Sequence, residues 1–76
     1  MDEVLALRAL AIVIADEKLR ERFQQLTGFD AETLRARAGE ADVLSAVIAF
    51  LSAHEPDLIA VAEALDVPPA VLAAAA

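Results

Sequence analysis

Polar and apolar positions divide the chain into six helical segments. VLALRALAIVIA (Val4 to Ala15) and VLSAVIAFLSA (Val43 to Ala53) are apolar almost all round. A helix without a polar face is a buried one, so these two are expected to form a central packed pair. The segment between them reads differently. In DEKLRERFQQLT only Leu19, Phe23 and Leu26 form an apolar stripe, while Asp16, Glu17, Lys18, Arg20, Glu21 and Arg22 cover the rest. Asp16–Arg20 and Glu17–Arg20 have the spacing of ion pairs on an exposed helix face.

Capping residues set the helix ends. Helix 1 is expected from about Asp2 to Ala15. Helix 2 opens on Asp16 as N-cap and ends at Thr27, before Gly28. Asp30 caps helix 3, with Phe29 and Leu34 at the spacing of a hydrophobic staple, and Gly39 ends it. Helix 4 runs from about Glu40 to Ala53. Pro56 suits the first position of helix 5, and helix 6 starts near Pro69.

The leucines recur. Leu5, Ile12, Leu19 and Leu26 match Leu44, Leu51, Leu58 and Leu65 at an offset of 39. If Gly28 is an extra residue in the turn, Leu34 then matches Leu72 at 38. The expected fold is therefore all-α: a compact bundle of six short helices in two pseudo-symmetric three-helix units, about 2–38 and 41–76, within a single domain, 1–76. The expected core is Leu5, Ile12, Leu19, Phe23, Leu26, Leu34, Leu44, Ile48, Leu51, Leu58, Leu65 and Leu72.

The same alignment compares surfaces. Arg20 and Arg22 become Ile59 and Val61; Thr33, Arg35 and Arg37 become Val71, Ala73 and Ala75. Ile59, Val61 and Val71 thus form a candidate partner surface, which two copies would cover across a two-fold axis as a homodimer. The competing reading is intramolecular: Ala62 is smaller than Phe23, so helix 5 would sit deeper in its own core.

Composition narrows the chemistry. With no cysteine among 76 residues, disulfides and thiolate catalysis are excluded; one histidine, His54, excludes a His/Cys metal cage. No phosphate-binding or calcium-binding motif is present, and no cofactor or metal is expected. Val4 to Ala15 is too short an apolar run to span a bilayer, which needs about 20 residues, and the start MDEV is acidic; no membrane association and a cytoplasmic location are expected.

ALDVPPAVLAAAA (Ala64 to Ala76) has the outline of a helix-turn-helix, but PAVLAAAA carries no side chain for base edges or phosphates. Copy 1 offers a candidate basic face, Arg20, Arg22, Arg35 and Arg37. Residues 18–37 carry a local charge of +2 within a chain of −7. Asp30 and Glu32 sit at the start of helix 3, the end that enters a groove in such motifs. The charge argues against nucleic acid. Ser52, His54 and Asp57 are close in sequence but lack the spacing of a catalytic triad. His54 is expected to complement the dipole of helix 4 or cap one of its carbonyls. No catalytic residue is assigned.

ADEKLRERFQQLTG, the LR after the turn and AVIAFLSAHEPDLIAVAEALDVPP carry a resemblance over nearly the whole chain. The chain resembles a family of small bacterial proteins, chiefly alphaproteobacterial, designated domain of unknown function 3572. The family pattern favours an aromatic residue late in helix 1, where Ile12, Val13 and Ile14 stand, and a proline opening helix 3, where Ala31 stands. The family has no assigned activity or binding residues, so the resemblance implies none. The expected function is a non-catalytic protein–protein interaction module; the alternative is a helix-turn-helix-like, nucleic-acid-associated domain.

Overall fold

Three aspartates open the first three helices of the computed structural model, which describes residues 1–76. Asp2, Asp16 and Asp30 have extended backbone, and each carboxylate accepts from the N–H three residues on: Leu5 at 3.0 Å, Leu19 at 3.0 Å and Thr33 at 2.8 Å. They satisfy donors that have no partner within the helix. The helices they open are α1 (Glu3–Ala15), α2 (Glu17–Thr27) and α3 (Ala31–Arg37). α4 (Ala41–Ser52), α5 (Glu55–Leu65) and α6 (Pro69–Ala73) follow Glu40, His54 and Pro68, none of which caps through its side chain. Proline stands in the first turn of α5 and of α6. Pro69 opens α6, and Pro56 is the second residue of α5, one place later than expected.

Caps and helix starts recur at a spacing of 38 throughout: Asp2 with Glu40, Asp16 with His54, Asp30 with Pro68. The leucine-based offset of 39 is out of step by one residue in the first two helices of each half. Gly28 is not an extra residue. It and Asp66 occupy the same place, each in the left-handed region at the end of its helix. Buried residues keep the spacing too: Leu5 with Val43, Ala9 with Val47, Leu10 with Ile48, Val13 with Leu51, Phe23 with Val61, Leu34 with Leu72. The packing of the halves differs, however. α6 packs on α4 and α5, whereas α3 makes no comparable contact with α1 or α2. The caps keep a constant spacing, but the contacts do not form two equivalent three-helix units.

α1 and α4 make the most extensive helix contact, as their composition implies, and α5 crosses both after a 115° bend from α4. Phe23 is fully buried at the centre, with the Phe50 ring edge-on at 5.2 Å and Phe29 at 6.2 Å. Leu5, Leu34, Leu44, Ile48, Leu51, Leu65 and Leu72 are buried as expected; Ile12, Leu19 and Leu58 are half-buried against this core. Leu26 is 73% exposed and leaves the expected core. It lies in the last turn of α2, and α3 does not fold back over it. α1 is not buried all round either, since Val4 and Leu7 face water. No single helix is long and apolar enough to cross a membrane.

Candidate interaction surface

The corner between α5 and α6 is built by one backbone reversal. Asp66 stands at φ 59°, ψ 44°, and the next N–H, of Val67, donates to Ala62 O at 3.0 Å. These bonds close α5 and take up its last carbonyls. Val67 then packs against the core. Pro68, extended at φ −62° and ψ 144°, leads into α6, where Val71 and Leu72 donate back to its carbonyl. Pro68 and Pro69 restrict the turn, since their φ is already fixed.

An open groove of about 440 Å³ lies along this corner, lined by Ile59, Glu63, Asp66, Val67, Pro68 and Pro69. Ile59 and Glu63, four apart, share one face of α5. Ile59 is 42% exposed, and Val71 on neighbouring α6 is 48% exposed. Glu63 and Asp66 have no ion-pair partner. The wall is apolar and its fixed charge is negative. The chain from residue 38 to residue 76 contains no Lys or Arg.

Of the three residues expected to form a partner surface, the structure leaves two exposed. Val61 is 1% exposed and belongs to the core. It takes the place of Phe23, not that of Arg22, and the intramolecular reading holds for it.

The four arginines of the expected basic face are held differently. Arg20 donates to Ile14 O at 2.9 Å, not to Asp16 or Glu17, so the expected ion pairs are absent. Arg22 pairs with Asp57 and lies 5.2 Å from the Phe50 ring centre. Arg37 bonds Glu40 at 2.8 Å and Asp42 at 2.5 Å, over the Phe29 ring. Hydrogen bonds to Glu40 first, then Asp42, hold its guanidinium above the usual range. Of these four, only Arg35 is exposed without an ion-pair partner.

His54 closes α4 with its backbone, whose N–H donates to Leu51 O at 3.1 Å, and not with its imidazole. It is the N-cap residue of α5, and its Nδ1 lies 2.9 Å from Asp57 Oδ2. Burial raises the Asp57 carboxyl, but hydrogen bonds from Arg22 and His54 outweigh it and hold the group below the ordinary aspartate value. An ionised carboxylate only accepts, so Nδ1 carries the proton. The spacing of N-cap and third helical residue was the available sequence cue, as in a capping box. Ser52 is exposed and makes no hydrogen bond to His54. No group of three or more His, Cys, Asp or Glu is placed to hold a metal ion.

Fold and surface together define a small all-α helical-bundle domain with one acidic, apolar-walled corner. The chain belongs to the protein family of unknown function DUF3572, whose model matches residues 2–76. No curated protein and no solved structure matches it.

Proposed function

We propose that this domain acts by binding and not by catalysis, as a protein–protein interaction module whose docking surface is the α5–α6 corner. The observation that carries this is the groove itself: Ile59, Val67, Pro68 and Pro69 offer apolar wall, while Glu63 and Asp66 leave two carboxylates without an ion-pair partner. The complementary partner is a segment with apolar side chains flanking a Lys or Arg. Proline-stiffened apolar surface loses little freedom on binding, which favours affinity. The nucleic-acid reading has less support. Arg20, Arg22 and Arg37 already have partners within the chain, and the net charge of −7 repels phosphate.

The test compares capture from the native host by the wild type and by Ile59→Glu with Val71→Glu. The expected result is a partner bound by the wild type, weakened by rising salt, and lost with the double variant while its helical circular dichroism persists. A partner retained equally by both proteins would remove the corner as the binding surface. Tight, sequence-dependent DNA binding at physiological salt would replace this reading with the nucleic-acid one.

A further inference from the structure

A different face, on α1, also leaves large apolar side chains uncovered. α1 buries Leu5, Ala6, Ala9, Leu10 and Val13. On its opposite side Val4 is 71% exposed and Leu7 45%, Ala11 is exposed, and Ile14 at the edge is half-buried against the core. Their spacing alternates three and four residues, the a and d positions of two heptads. The fold does not require this side to be apolar. Thirty-eight residues later, at the same places on α4, stand Asp42, Ser45, Ala49 and Ser52.

We propose that this face joins two copies of the chain through a short parallel pair of α1 helices. The flanking charges choose the occupant and its direction. With Val4 at a and Leu7 at d, Glu3 falls at g and Arg8 at the following e. In a parallel pair, g of one helix faces the e five residues on in the other. Glu3 of each copy therefore meets Arg8 of the other, twice across the two-fold axis. Neither has an ion-pair partner within its own chain. An antiparallel pair would set e against e, Arg8 facing Arg8, and would leave the two Glu3 at opposite ends with no arginine to meet. Two heptads on a helix of 13 residues make a small contact, below about 1,200 Å² in total, so the dimer is weak and forms with concentration.

Sedimentation equilibrium of the full chain from about 10 μM to about 1 mM tests this, a range chosen for so small an interface. A monomer–dimer equilibrium within the range is expected. Leu7→Glu should weaken it at least about tenfold. Val4→Glu, at a more exposed position, reads the same face if Leu7→Glu perturbs folding. Glu3→Arg and Arg8→Glu should each weaken self-association, and an equimolar mixture of the two should restore dimer. Ala11→Cys, in a chain with no other cysteine, should oxidise to a disulfide-linked dimer, because a positions face each other in a parallel pair. A monomer throughout the range overturns the proposal. So does a dimer untouched by both Leu7→Glu and Val4→Glu, or a mixture that associates no better than either variant alone.

Discussion

Gly28 and Asp66 hold the same backbone conformation at the ends of α2 and α5, with φ of 77° and 59°. Only one of them is glycine. A Cβ at Gly28 would meet nothing within 4 Å, so any cost there is conformational and not steric contact with neighbours. Gly28→Ala should destabilise by about 1–2 kcal/mol, the penalty for a side chain in the left-handed region. Asp66→Gly should stabilise by about 0.5–1 kcal/mol, raising Tm by a few degrees for a domain of this size. Thermal melts of both variants check the pair, and opposite signs are the expected outcome.

Phe23 carries the largest fully buried side chain and makes the aromatic contact to Phe50. Phe23→Ala should cost about 3–5 kcal/mol through lost burial and the cavity left behind. Most of the stability of so small a domain would be lost. Urea unfolding followed by circular dichroism measures it. A midpoint close to the wild type would mean that the ring is not buried.

Ile59 and Val61 are two residues apart on α5 and should respond in opposite ways. Val61→Arg places an unpaired charge in the core and should cost at least about 3 kcal/mol. Ile59→Arg lies at the exposed groove and should stay within about 0.5 kcal/mol of the wild type. Unfolding curves of the two single variants separate core from surface, which a double variant would merge.

Acid should loosen the tie between α2 and α5. Asp57 has a folded pKa below its unfolded value, so the folded state favours its ionised form. Its contribution is complete above the unfolded value, near 3.9, and is lost as pH falls through the folded value. Asp42, lowered by its hydrogen bond to Arg37, acts in the same direction. Urea midpoints should fall below about pH 4, and Asp57→Asn should flatten that dependence while lowering stability at pH 7. An unchanged slope in Asp57→Asn would show that other carboxylates govern the acid limb.

Much of the helical framework was legible because its causes are local. Asp2, Asp16 and Asp30 cap through bonds that span three residues, and Gly28 ends α2 by its own backbone freedom. The error in register came from matching leucine to leucine. Packing conserves the place of a side chain more than its identity, so Phe23 answers to Val61 and Leu10 to Ile48. Leucines alone could not show this, whereas the caps and the two left-handed residues do.

The chain's own pattern determined the six helices, their order, the pairing of α1 with α4 and the burial of Phe23 and Leu34, since periodicity and capping act within a few residues. Tertiary structure decided which sides remain open. Leu26 and Leu65 are the same residue type in the last turns of α2 and α5, yet Leu26 faces water and Leu65 is buried. At the spacing of 38, Leu26 answers to exposed Ala64 and Leu65 to half-buried Thr27, so the two leucines stand on different helix faces; in addition α6 returns onto α5 and α4, while α3 leaves the end of α2 uncovered. That return also forms the groove at Ile59, and the arrangement of α2, α4 and α5 around α1 leaves Val4 and Leu7 outside. Which of several apolar faces is covered depends on what comes to lie against it from elsewhere in the chain, and the local pattern does not choose between them.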